Sequence, residues 1–280
     1  MSLSRTIATL IAAGITTGLA VGTSHWVAGN TTNLEYFESM LTLESERPFQ
    51  QSYDELNAPY DGLYHFVRIR YASSGGRGSG GFGRRRGGGA MWAHDYPRAE
   101  RNFLSIMEET TFVGTQTEGS NILTFDDPAL FLFPIAYIVE VGSWNPTEAE
   151  ASSLGDYLLK GGFLIIDDFR DRYALENLEF QLDRVLPESN MVAVEDTDEI
   201  FDSFFRILPD EVIPPYGPGS PIWYGVYEDN DPTKRLMIVI NYNNDIAEYW
   251  EFSDRGYYSI DLSNEAYKLG VNYVVYGLTH

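Results

Sequence analysis

An α/β fold on a mainly parallel sheet is predicted by three observations. From residue 130 onward, apolar strand-like runs alternate with helical patterns, the order that parallel strand–helix–strand units require. Residues 147–168 hold the sharpest instance. A helical stretch ends in Tyr157-Leu158-Leu159-Lys160, Gly161-Gly162 follow, then the apolar run Phe163-Leu164-Ile165-Ile166, then Asp167-Asp168. Open parallel sheets bind ligands at the carboxyl ends of their strands, where these two carboxylates stand. Finally, 280 residues with 44% hydrophobic content suffice for one large core.

The elements follow in order. Tyr64 to Tyr71 places His65, Val67 and Ile69 on one parity and Phe66, Arg68 and Arg70 on the other, the pattern of a half-buried strand. Trp92-Ala93-His94-Asp95-Tyr96-Pro97 leads into a helix over 98–108, with Asp95 as its cap and Pro97 in its first turn. Residues 121–125 form a short strand, and 130–141 a central strand ending at Glu140. A helix over 147–159 takes Asn145 or Thr147 as cap and stops at Gly161. Residues 163–166 form a buried strand and 172–186 a helix ended by Pro187. Residues 200–207 fit helix or strand, and five prolines make 209–221 irregular. Strands over 223–228 and 236–241 flank the acidic turn Asp229-Asn230-Asp231-Pro232. Residues 241–250 read as a polar loop, and Ser263 caps a last helix.

The amino terminus has the pattern of an export signal. Arg5 supplies a positive charge, Ile7 to Val21 is an uncharged run, and small residues follow. The run is weakly hydrophobic for a spanning helix, which needs about 20 apolar residues. The expected organisation is a signal peptide over 1–28, a polar tether over 29–62 and an α/β domain over 63–280. The product is then periplasmic, or held at the inner membrane if the segment stays uncleaved. Residues 73–89 are almost all Gly, Ser and Arg and read as a disordered loop. Gly76, Gly78 and Gly81 match GxGxxG formally, but no helix pattern follows.

Composition narrows the function. A net charge of −22 repels phosphate backbones, which excludes nucleic acid as a partner. Zero cysteine removes Cys nucleophiles and Cys-zinc sites. No P-loop, no GxSxG elbow, no HExxH and no histidine cluster occurs, so neither a cofactor nor a metal is expected. The expected partner is an envelope protein or a small ligand. Membrane contact is expected only through an uncleaved amino-terminal segment.

Several blocks fall in a recognisable series: Arg68-Ile69-Arg70-Tyr71; Trp92 with Asp95-Tyr96-Pro97 and Asn102-Phe103; Tyr157-Leu158-Leu159 with Gly161-Gly162-Phe163-Leu164 and Asp167-Asp168-Phe169; Val239-Ile240-Asn241-Tyr242-Asn243; Trp250-Glu251; and Leu269-Gly270-Val271-Asn272-Tyr273. From about residue 63 to the end the chain resembles the bacterial domain of unknown function family 4159. That resemblance implies a flavodoxin-like, class I glutamine amidotransferase-like three-layer sandwich and no established activity. The amidotransferases use a Cys nucleophile, which this chain lacks.

The candidate ligand-binding residues are Arg68, Arg70, Trp92, Asp95, Tyr96, Glu140, Asp167, Asp168, Asn241 and Asn243. Asp167 and Asp168 suit metal coordination, base catalysis or ligand hydrogen bonding, set against a simple loop-ordering pair. Arg68 and Arg70 suit an anion, or pairing with Asp167, Glu140 or Asp95. Trp92, Tyr96, Trp250 and Tyr273 suit an aromatic rim or core packing. Asn241, Asn243 and Asp245 have the spacing of an oxygen cage but no DxDxDG pattern. His94 beside Asp95 has no nucleophile elbow to serve. The expected function is a non-catalytic binding or assembly module. The alternative is an envelope hydrolase using Asp167 or Asp168 with an arginine as anion stabiliser.

Overall fold

The computed structural model describes residues 57–72, 90–215 and 219–280. Among these described residues seven strands make one sheet: β1 (Val67–Ile69), β2 (Asn121–Leu123), β3 (Ile135–Val139), β4 (Phe163–Phe169), β5 (Met191–Ala193), β6 (Ile222–Tyr227) and β7 (Leu236–Tyr242). The expected signal segment, most of the expected tether and the Gly/Arg stretch lie outside the described residues. The strand order is β2-β1-β3-β4-β7-β6-β5. The first five in that order run parallel, and β6 and β5 add an antiparallel edge. The sheet is therefore mixed and mostly parallel, as the alternation of patterns implied.

Among the described residues five α-helices cover the two faces: α1 (Arg98–Thr110), α2 (Glu148–Leu159), α3 (Arg172–Val185), α4 (Ile246–Phe252) and α5 (Ile260–Thr279). Side chains alternate across a strand, so one parity feeds each layer. Ile135, Tyr137 and Val139 pack with α1, α4 and α5 through Phe103, Trp250 and Tyr273. Ala136 and Ile138 pack with α2 and α3 through Leu154, Leu158, Leu178 and Leu182. The result is three layers with an apolar core on each side of the sheet.

Local chemistry sets the boundaries. Thr147 and Glu150 close a capping box at the start of α2, and Gly161, at φ 108°, ends that helix in a conformation closed to most side chains. The strand over 64–71 is not half-buried. β1 lies between β2 and β3, both its faces are covered, and Arg68 is tolerated inside because it is paired. The expected polar loop over 241–250 contains α4, which Asp245 caps by accepting from Glu248 N at 2.8 Å. The last helix starts at Ile260, three residues before the cap expected at Ser263. Residues 57 and 58 also pair with β2. The Asn57 amide pairs with Ile122 N and O at 2.7 and 2.9 Å, and the Asn121 amide with Ala58 N and O at 2.9 and 3.0 Å. These bonds satisfy backbone groups along the outer side of edge strand β2.

Candidate functional site

The site is built where β4 breaks its register. Pairing with β7 is regular to Ile166 and shifts before Phe169, and Asp168 takes a left-handed φ of 51°. The two neighbouring aspartates are thereby sent to different duties. Asp167 keeps the strand alternation and points into the α4–α5 layer, fully buried. It accepts from Tyr137 Oη at 2.8 Å, Asn241 Nδ2 at 3.1 Å and Ile246 N at 3.0 Å. Asn241 in turn accepts from Tyr273 Oη at 2.7 Å, and Tyr273 from Trp223 Nε1 at 2.8 Å. Asp167 thus fixes the first turn of α4 and ties β3, β4 and β7 to α5. Burial pushes its carboxyl up to about 6, against the pull of the Tyr137 hydrogen bond. These bonds make Asp167 and Asn241 parts of the frame.

Arg68 is also framework. Its parity faces α1, where Glu100 sits in the first turn, and the two form a fully buried ion pair. The guanidinium donates to Trp92 O at 3.0 Å and lies 5.2 Å from the centre of the Tyr137 ring. Pairing was expected, but with Asp167, Glu140 or Asp95; the partner is Glu100, which no motif marked. Arg70 Nε has no hydrogen-bond partner among the described residues. Trp92, Trp250 and Tyr273 are interior packing and form no rim. Tyr96 sits 6.4 Å from Trp92, ring to ring. Asn243 turns away to donate to Ser220 O at 3.1 Å.

Beside this frame, four side chains from three elements converge: His94 and Asp95 before α1, Asp168 on β4, and Asp245 at the start of α4. Their nearest nitrogen or oxygen atoms all lie within 4.8 Å of one another. Asp95 does not cap α1 with its side chain, as the sequence suggested. Its backbone carbonyl accepts from Arg98 N and Ala99 N at 3.1 and 3.0 Å, and its φ of 63° turns the carboxylate inward. That side chain is wholly buried, and neither oxygen has a hydrogen-bond partner among the described residues. His94 Nδ1 is 3.4 Å from Asp95 Oδ2 and donates to Asp168 Oδ2 at 2.5 Å. A second carboxylate group, Asp95 with Glu248 and Glu251, adjoins the first and shares Asp95.

The electrostatics follow from this crowding. Burial raises Asp95 well above the carboxylate range, and Asp168, Glu251 and Glu248 add to it against the pull of His94. Burial also raises Asp245, with Asp168, Asp95 and Asp167 contributing. Burial alone would lower His94; the Asp168 hydrogen bond and the charges of Asp95, Asp168 and Glu140 outweigh it and hold the imidazole at about 9. Glu140 follows β3 in a left-handed φ of 55° and is pushed up to about 7 by burial and by Asp168. The His94 side chain is 25% exposed, so the cluster reaches solvent on its side.

Of the ten expected residues, the structure brings Asp95 and Asp168 into one cluster, with Glu140 within electrostatic range. It adds Asp245, Glu248 and Glu251, and gives His94 a place beside them. One signal was available: Asp245, Glu248 and Glu251 recur every three residues, which puts them near one face of a helix. Reading that segment as a loop hid it. A cleft of about 640 Å³ lies at the opposite end of β7, between Asp198, Lys234 and His280. Several of its polar groups have partners: Lys234 pairs with Asp229, Tyr227 donates to Asp198, and Arg235 donates to Gly162 O and Leu158 O. The strand-end cluster, with a buried carboxylate that lacks hydrogen bonds among the described residues, is the stronger candidate.

Residues 65–278 match the family described as Domain of unknown function (DUF4159). No curated protein matches the chain.

Proposed function

The chain belongs to the DUF4159 family, whose match spans all seven strands, and we propose that it is an exported, non-catalytic binding module that captures a cationic ligand at its strand-end carboxylates. One observation carries this reading: Asp95 is buried with both carboxylate oxygens lacking a hydrogen-bond partner among the described residues, beside Asp168 and Asp245. A buried carboxylate that lacks hydrogen bonds is costly, and a bound cation offsets that cost. The scaffold reading is amidotransferase-like and flavodoxin-like, supported by three layers over a mostly parallel sheet. A chain without cysteine has no thiol nucleophile for amidotransferase chemistry. Export is supported by the charge and apolar pattern of residues 5–21. Among the described residues no helix is long and apolar enough to cross a membrane.

The hydrolase alternative needs an arginine to stabilise an anion. Arg68 is committed to Glu100 and Trp92 O, and Asp167 to Tyr137, Asn241 and α4. Those commitments take Arg68 and Asp167 out of that reading and leave it Arg70 and Asp168. The test is thermal unfolding of the full chain and of Asp95→Asn with alkylammonium, guanidinium and divalent metal chlorides, and with phosphate and acetate. A cation at about 100 times its Kd stabilises by about 2.7 kcal/mol, a rise of several degrees. At least one cation is expected to raise the wild-type Tm and leave Asp95→Asn unmoved, with no response to the anions. Stabilisation by an anion alone, or by nothing in the panel, contradicts the reading.

A further inference from the structure

We propose that the cation is a divalent transition metal ion, held by His94 Nδ1 and by one carboxylate oxygen each from Asp95, Asp168 and Asp245. The inference rests on the cation-binding reading above and narrows it to a chemical class. Three observations support it. First, the donor set is one imidazole and three carboxylates, and their ligand atoms all lie within 4.8 Å of one another. Carboxylates suit manganese, magnesium and calcium alike, and it is the imidazole nitrogen, which suits zinc, iron and related ions, that favours a transition metal here. Second, Asp95 brings two oxygens without a hydrogen-bond partner among the described residues, on a fully buried side chain, into the same cluster.

The third observation separates a metal from an organic ammonium. His94 Nδ1 and Asp95 Oδ2 are 3.4 Å apart. Two tetrahedral ligands at about 2.1 Å from a metal lie roughly 3.4 Å apart. Two acceptors sharing one ammonium at about 2.8 Å each lie roughly 4.5 Å apart. The observed spacing matches the first arrangement. His94 Nδ1 and Asp168 Oδ2 are 2.5 Å apart across a hydrogen bond, and a metal entering between them would replace that proton and move them apart. The surrounding frame is rigid in the way a ligand set needs. Asp168 is fixed by the bulge in β4 and Asp245 by its cap on Glu248 N. His94 and Asp95 are anchored by the backbone turn that starts α1. The exposed side of His94 leaves room for water or a further ligand to complete the coordination.

The test uses the full chain, stripped with a chelator and dialysed against Mn²⁺, Zn²⁺, Mg²⁺ or Ca²⁺ chloride, with bound metal counted by mass spectrometry. Wild-type protein is expected to retain one Zn²⁺ or Mn²⁺ per chain and to hold Mg²⁺ and Ca²⁺ more weakly. Loss of a group hydrogen-bonded to a metal ligand weakens binding by roughly 10–100-fold. Asp95→Asn and His94→Gln remove ligands themselves and should each weaken binding at least that much, with circular dichroism confirming their folds. Pulsed electron paramagnetic resonance of the Mn²⁺ form should show nitrogen coupling that His94→Gln abolishes. Metal retention undiminished in both variants overturns the assignment. No metal retention, with an organic cation still binding through Asp95, overturns the metal and leaves the binding reading standing. Failure of both classes of cation overturns both.

Discussion

Asp167 and Asp168 are adjacent in sequence and opposite in role, and hydrogen bonding separates them. Asp167 accepts from Tyr137, Asn241 and the first turn of α4, so its charge is compensated by donors fixed in the frame. An asparagine there keeps the shape but turns one acceptor into a donor facing another donor. Asp167→Asn should therefore destabilise by roughly 1–3 kcal/mol, the cost of unsatisfying a buried group; urea unfolding measures it, and an unchanged midpoint would contradict the structural role. Asp95 is the reverse case. Its oxygens have no donor among the described residues, and Asp168, Glu248 and Glu251 press on it. Neutralising it in metal-free protein should raise stability by about 0.5–2 kcal/mol, as removal of a functional charge often does. The same denaturant series reads this, and a loss of stability would show that the contact with His94 outweighs the repulsion.

At the scale of elements, the sequence marked most of the strands and helices and misplaced their ends. β4, α2, α3 and β7 were legible because long apolar runs, a capping box and a glycine stop agree. α4 was missed because Asn241 to Asp245 looks like a loop, and only Asp245's capping of Glu248 N reveals the short helix behind it. The site was half legible for the same reason. Asp95 and Asp168 stand at expected strand and helix boundaries, but nothing local shows that α4 brings Asp245 beside them. Glu100 was invisible, since a buried ion pair between distant segments leaves no local pattern. Packing between α1, α4 and α5 supports this edge and yields a sharp test. A Cβ on Gly270 would lie 2.5 Å from the Trp250 ring and 2.6 Å from the Phe103 ring. Gly→Ala within a helix ordinarily gains about 1 kcal/mol, while overpacking a core costs about 1–3 kcal/mol. The rings are stacked 4.4 Å apart and have little room to yield, so Gly270→Ala should lower the Tm. A higher Tm would mean that the contact is soft.

For the whole molecule, the dominant property is charge. With 41 acidic and 19 basic side chains, self-repulsion opposes the folded state. The Debye length falls from about 30 Å at 0.01 M salt to about 8 Å at 0.15 M, so sodium chloride over that range should raise the Tm of the full chain. A flat response would indicate that the acidic groups are already compensated locally. The three-layer fold gives the charge a focus. Parallel strands end along one edge, and there His94, Asp95, Asp168 and Asp245 converge from segments far apart in sequence.

That this convergence holds a metal cation is tested by a crystal structure of the protein grown with Mn²⁺, using anomalous scattering to locate the metal. One strong anomalous peak is expected, bonded to His94 Nδ1 and to carboxylate oxygens of Asp95, Asp168 and Asp245, with the His94–Asp168 hydrogen bond replaced by coordination. No peak at that position, with His94 still bonded to Asp168 and Asp95 still without a hydrogen bond, would show that no metal sits there.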